Sequence, residues 1–347
     1  MRRAWLLLPL LLPCLAIGQS GKKIQDLLFN AHAAPNHDTA YIATYKSNLM
    51  LSLVAKAQVV DIAVEPELGE DLTFSLNGKE QYGLGLDYKW LSVEATFHVP
   101  ALSDHDPALG SSTSRGLALG FTGRRLWGRG FWNTTQGYYL NDPERWTGSA
   151  APLVREDLEN RTFLLSVNYA LSKKRRFSQN AALFQMERQK KSAGTAVAGL
   201  SAWHTTLSAD SSLLDPALVD TVGLATGFSG LQRLLVGATI GYAHTFAFGH
   251  KGFLHAAILP GVVYADQSIR TPAGTLRGQG SAAVAEVRFG AGFNGDRWFG
   301  ALTGTFYYST TPIAERLSLG TNYGTVRFVL GIRLGDPGIK ALGKVGL

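Results

Sequence analysis

Four groups of side chains in this sequence are chemically suggestive. Asp104-His105-Asp106, preceded by Ser103, places an imidazole between two carboxylates with a hydroxyl alongside. Such a set can ligate a metal, act as an acid/base pair, or serve acyl transfer at a membrane rim. The competing assignment is a solvated loop, because Pro100, Pro107 and Gly110 surround it. His244, His250 and His255 fall within one expected hairpin, where imidazoles more often satisfy strand or interfacial positions than bind a ligand. Lys173-Lys-Arg-Arg176 and Lys190-Lys191 are the densest cations. They lack the interleaved aromatics of a nucleic-acid surface and suit turns that touch anionic headgroups or lipopolysaccharide. The fourth group is Lys89, Glu94, His98, Glu286, Arg288, Arg327 and Arg333, charges spread along polar strand faces.

Motifs of established chemistries do not accompany them. The nearest string to a nucleophile elbow, Gly227-Phe-Ser-Gly230, has the wrong spacing, and neither His-Glu-x-x-His nor a P-loop occurs. The expectation is therefore no catalysis, no cofactor and no metal site.

The elements that must position the fourth group have a period of two. Gln81 to Trp90 puts Tyr82, Leu84, Leu86, Tyr88 and Trp90 on one face, with Gln81, Gly83, Gly85, Asp87 and Lys89 on the other. The same alternation runs through 91–99, 163–169, 285–294 and 325–334. Runs of about 9 to 12 residues match a tilted strand crossing a bilayer, and exceed the five or six of a typical soluble strand. Tyr88, Trp90, Trp127, Trp132, Tyr138, Tyr139, Tyr264, Trp298, Tyr307 and Tyr308 near strand ends suit interfacial girdles. Glycines on the polar face, such as Gly83, Gly85, Gly290 and Gly292, suit a narrow lumen. In that lumen opposite charges either pair and block the bore or line a weakly anion-attracting pore.

Composition agrees. Charged residues are 17%, below the usual 25% or so of soluble domains, and the 39 glycines exceed an average share, which disfavours a disordered chain or a helical bundle. Residues 1–18 read as a signal peptide: Arg2 and Arg3, an apolar run from Ala4 to Ile17, and a small-x-small site at Ala16-Ile17-Gly18. Its removal takes away Cys14, the sole cysteine, and with it any disulfide or thiolate ligand. The expected layout is a periplasmic leading segment at 19–48, a barrel at 49–334 and a periplasmic tail at 335–347.

Tight turns are expected near 89–90, 123–125, 249–252 and 295–297, with long external connections at 65–80, 100–114, 136–160, 208–232, 266–280 and 309–322. Thirteen candidate strands emerge, and the parity fails at one place. Treating 172–192 as a decorated periplasmic connection leaves twelve antiparallel strands in alternation, with ten and fourteen as alternatives.

The stretches Asp38-Thr-Ala-Tyr-Ile-Ala-Thr-Tyr45, Gly128-Arg-Gly-Phe131, Gly137-Tyr-Tyr-Leu140, Gln189-Lys-Lys-Ser-Ala-Gly194 and Gly237-Ala-Thr-Ile-Gly-Tyr242 resemble an uncharacterised family of outer-membrane-type β-barrels from Gram-negative bacteria. The resemblance covers about 38–334. It implies an outer-membrane location and supplies no activity, ligand or site residue. Barrels of this kind often finish on an aromatic residue, whereas residues follow Leu334 here, which makes Phe328 and the 326–334 strand the internal substitute for an insertion signal read by the barrel-assembly machinery. The function expected is a non-catalytic scaffold or surface-interaction barrel in contact with outer-membrane lipids or lipopolysaccharide, with no nucleic-acid partner. The alternative is a small-solute channel.

Overall fold

The computed structural model describes residues 37–60, 62–66, 72–104, 106–123, 125–212, 228–271, 274–314 and 317–338. The alternating runs form one closed antiparallel sheet. Its strands are β2 (Met50–Val60), β3 (Ile62–Pro66), β4 (Leu72–Ser75), β5 (Glu80–Tyr88), β6 (Leu91–Phe97), β7 (Thr113–Thr122), β8 (Leu126–Leu140), β9 (Val154–Ala170), β11 (Ala193–Ser208), β12 (Gly230–Phe248), β13 (Gly252–Thr271), β14 (Gly274–Asn294), β15 (Trp298–Ala314) and β16 (Leu317–Arg333). β2 and β3 hold one continuous register on β16, with Tyr323 opposite Val60 and Gly320 opposite Ala63, so together they make a single wall. β4 and β5 make the next wall. The ring thus has twelve walls, and β16 closes it on β2 with Val329 opposite Val54.

Closure differs between the two ends. β6 and β7 are short, and beyond them β4 pairs directly with β8, Phe74 opposite Leu140. The ring is therefore narrower by two strands at the loop end.

Side-chain direction follows the alternation. Leu84, Ile258 and Val262 are 65%, 62% and 65% exposed on the outside, in one belt with Leu53, Leu200, Ile240 and Phe328. Water would not tolerate an apolar surface of this extent, and a hydrocarbon bilayer requires it. Trp298, Phe293 and Phe248 stand outside beside the tight turns, while Trp132, Tyr264 and Tyr308 stand outside further along their strands. The aromatic girdle is smaller than the sequence suggested. Trp127, Tyr138 and Tyr307 are buried, because neighbouring strand residues face opposite ways and only one of Tyr307 and Tyr308 can reach lipid. Tyr88 is also buried, beside the tail, where its hydroxyl donates to Asp336.

One glycine shows how closely the walls approach. A Cβ on Gly83 would lie 1.9 Å from the Ala95 carbonyl oxygen on the adjacent strand, so no other residue fits without moving β6.

The tight turns fall where expected, and the connections at the other end depart in part. Of the residues expected as loops at 266–280 and 309–322, the described ones are strand: β13 and β14 pair out to Thr271 opposite Gly274, and β15 and β16 out to Ala314 opposite Leu317. These hairpins run past the bilayer because paired polar strands satisfy their own backbone in water. β3 and β4 likewise enter the 65–80 range at 65–66 and 72–75, while most of 208–232 lies outside the described residues. Residues 98–104 and 106–112 do lie in a loop, held by Asn77, whose side-chain amide donates to the carbonyls of Asp106 (2.7 Å) and Gly110 (2.5 Å). Between β8 and β9 a short helix, α1 (Pro143–Thr147), fills the connection.

Closure and the lipid belt each generate a test. Chain refolded in detergent should migrate faster on electrophoresis unboiled than boiled. Ile258→Lys, which sets a cation in the belt, should cost about 2–4 kcal/mol of unfolding free energy in bilayers, measured by denaturant titration.

Candidate functional site: a plugged and charged lumen

Residues 172–192 are the decorated connection that the parity argument required. They do not hang below the barrel; they fold back into its turn end. A short helix, α2 (Gln179–Leu183), is capped by Ser178, whose hydroxyl accepts from Ala181 N–H (3.0 Å) and donates to Glu187 (2.5 Å). The strand β10 (Glu187–Gln189) then pairs with β1 (Ile42–Thr44), Ile42 opposite Gln189. The end of the expected leading segment 19–48 is therefore part of the same plug, a long-range pairing that leaves no local mark in the sequence.

The plug is held in two ways. Ala182, Phe184 and Met186 pack with Met50, Val54, Phe253, Phe299, Ala301 and Val329 from the walls, all buried. Each buried large side chain there contributes about 1.5–3 kcal/mol. Hydrogen bonds then fix its position. Asn294 donates to the carbonyls of Ala181 (3.2 Å) and Glu187 (2.8 Å), and Arg333 donates to that of Gln185 (2.5 Å) while its guanidinium lies 3.9 Å from the Tyr45 ring and 4.8 Å from the Phe299 ring. At the rim, Asp296 in the β14–β15 turn accepts from Tyr45 (2.7 Å) and Arg188 (2.8 Å), with Lys251 at 3.2 Å. These donors hold the Asp296 carboxyl down at about 2, and burial together with this hydrogen bond pushes the Tyr45 phenol up to about 12. Glu187, paired with Lys46 at 3.2 Å, is likewise held below the ordinary carboxylate range by that cation and by Ser178, against the opposing effect of burial.

Beyond the plug the lumen is polar. Glu94 is the hub of a cluster drawn from four walls: Arg327 Nε lies 2.7 Å and Arg129 Nη2 3.0 Å from its Oε2, and Lys56 Nζ lies 4.0 Å from Oε1. A second cluster pairs Arg288 Nε with Glu286 at 2.6 Å, and Arg288 Nη2 donates to Asn168 (2.8 Å). Between them is a cavity of about 120 Å³.

The structure brings together five of the seven expected lumen residues: Glu94, Glu286, Arg288, Arg327 and, at the plug, Arg333. Lys89 does not belong with them. It occupies the β5–β6 turn in the left-handed region (φ 52°), its ammonium 5.3 Å from the Tyr88 ring centre. His98 continues the inward face of β6 but lies past its end, near the Glu80 carbonyl (3.3 Å) and Ser103 (3.4 Å). Sequence reasoning missed Lys56 and Arg129. Both occupy inward positions, Lys56 in the series Ser52, Val54, Lys56, Gln58, and that placement was the available signal. Trp127 and Tyr307, assigned to a girdle, also line the cavity.

Elsewhere several of the suggestive residues have structural partners. Asp106 accepts from Ala108 N–H (2.9 Å) as a turn cap, and His105 lies outside the described residues. His255 is buried with Nδ1 2.9 Å from Thr245, while His244 lies on the outer face 4.3 Å from the Phe246 ring. Arg176 pairs with Asp38 at 3.1 Å and lies over Tyr41, tying the basic 173–176 run to the plug.

Among solved structures, the chain is similar to the outer-membrane protease OmpT of Escherichia coli (9% identity, 84% of this chain and 98% of that one, TM-score 0.40). It is also similar to an outer-membrane channel of Pseudomonas putida F1 (11%, 85% and 99%, 0.34) and to the translocator domain of the autotransporter NalP of Neisseria meningitidis (10%, 83% and 89%, 0.35). No curated protein matches. These neighbours differ in activity and assign none here. The sequence model of a domain of unknown function (DUF4421) matches residues 36–333, and the chain belongs to that family.

Proposed function

We propose that this protein is an integral barrel of the bacterial outer membrane, shut at its periplasmic end by its own plug, and that it acts as a non-catalytic scaffold or surface-interaction protein. The plug carries this reading: Phe184, Met186 and Ala182 are packed into the wall core and sealed by Arg333 and Asn294. The orientation follows from both described termini lying at the tight-turn end, the periplasmic arrangement of such barrels, which leaves the extended hairpins and the 98–112 loop outside. Those loops are the surface offered to partners. The basic turns around Lys173–Arg176 and Lys190–Lys191 face anionic headgroups, and Phe328, exposed on the last strand, is the internal aromatic for barrel assembly.

A second reading, a solute channel that opens when the plug moves, is favoured by one observation. The rim contacts of Asp296 are exposed and few, so the plug is latched there by ion pairs open to competition from outside.

Planar-bilayer recording separates the two. The native protein should show no discrete conductance, and Phe184→Ala with Met186→Ala, which removes about 2–5 kcal/mol of packing per site, should show steps. Steady conductance of the native protein would replace the scaffold with the channel.

The latch has its own pH window. A carboxyl held down at about 2 contributes fully above its ordinary value near 4 and loses that contribution as pH falls through about 2. The plug should therefore be insensitive to pH between about 5 and 8 and loosen as pH falls from about 4 to about 2, seen as the onset of conductance. Asp296→Ala should show faster tryptic cleavage at 173–176 already at pH 7.

A further inference from the structure

We propose that the lumen cavity above the plug is a binding site for a small oxyanion, a carboxylate or a phosphate, a role distinct from sealing the barrel. The first ground is charge. Lys56, Arg129, Arg288 and Arg327 line the cavity against only Glu94 and Glu286. Asp87, on the neighbouring strand β5 and also buried, brings the balance to four cations against three carboxylates and leaves a surplus of one. Burying net positive charge is costly unless an anion accompanies it.

The second ground is geometry. Arg327 and Arg129 both donate to a single oxygen of Glu94, Oε2, while Oε1 has no hydrogen bond and Lys56 stands off at 4.0 Å. One carboxylate is thus shared by three cations. Arg327 Nη1 is buried without a partner in the protein, as is the indole N–H of Trp127, a residue 6% exposed in the cavity lining. Unpartnered buried donors beside a cationic cluster are the features of an anion site, because each such donor carries a desolvation cost that a ligand oxygen removes.

The third ground is the wall itself. Thr305 adds a hydroxyl to the lining, while Thr303 donates to the Arg327 carbonyl (3.4 Å), and Phe131 and Leu164 supply an apolar side that suits the short carbon stem of a carboxylate. The cavity of about 120 Å³ limits the ligand to a few heavy atoms. With the turn end plugged, the ligand reaches the site from the loop end.

Isothermal titration of the detergent-refolded full chain at low salt, with inorganic phosphate in one arm and acetate in the other, tests this. Saturable binding of one anion per chain is expected in at least one arm, and comparison of the arms identifies the preferred oxyanion. Arg129→Gln and Arg327→Gln should each weaken it about tenfold or more, the loss of one charge-assisted hydrogen bond. Lys173→Gln with Lys174→Gln, in the exposed basic turn, should leave it unchanged. Only variants that keep the heat-dependent gel shift are read. If Arg327→Gln does not refold, Arg129→Gln decides, since Arg129 is the most solvent-exposed of the Glu94 partners. Absence of saturable binding in both arms, or binding lost with the lysine pair and kept in the arginine variants, overturns the proposal. Either result is independent of whether the plug conducts.

Discussion

The pairing of β16 with β2 is the constraint on which the rest of this structure depends. In hydrocarbon an unpaired backbone N–H or C=O costs several kcal/mol, so a sheet can cross only if its last strand finds its first. Val329 opposite Val54 and Arg333 opposite Met50 bring together residues 275 and 283 positions apart in sequence. Once that seam forms, the period of two assigns every side chain to lipid or lumen. Leucine, isoleucine and the outer aromatics then need no further partner, while every inward polar group does.

The lumen meets that demand with charge networks and with chain. Glu94 gathers cations from β2, β8 and β16, and Glu286 with Arg288 reaches β9 through Asn168. Such networks cross-brace opposite walls, and losing one member would leave an uncompensated charge indoors. Nearer the turns the barrel uses protein instead: α2, β10 and β1 bring apolar side chains to the wall, and Arg333 is stacked between Tyr45 of the plug and Phe299 of the wall. The resulting interior is sealed at one end and retains a cationic cavity in the middle.

Much of the wall was legible from sequence because alternation is local. Gln81–Trp90 and 285–294 could be assigned a lipid face and a lumen face from residue types alone, and Glu94, Glu286, Arg288 and Arg327 followed. Twelve walls followed from the parity of long and short connections. What failed had non-local causes. The extended hairpins at 266–280 and 309–322 resembled loops because strands in water lack the apolar face that marks a crossing. Trp127 and Tyr307 resembled girdle residues because aromatics favour both lumen cores and interfaces. The pairing of Ile42 with Gln189, and the descent of Phe184 into the bore, depend on where the chain's ends meet after closure. No pattern within either segment announces it.

In this structure the plug is a built part of the closed barrel. Hydrogen–deuterium exchange of the refolded chain in detergent micelles addresses it most directly. The amides of 181–189 and of 42–45 should be protected to the same degree as wall residues such as 253–259. Exchange of the plug amides as fast as that of the exposed 98–112 loop would contradict the claim and leave an open-ended barrel with a loose connection beneath it.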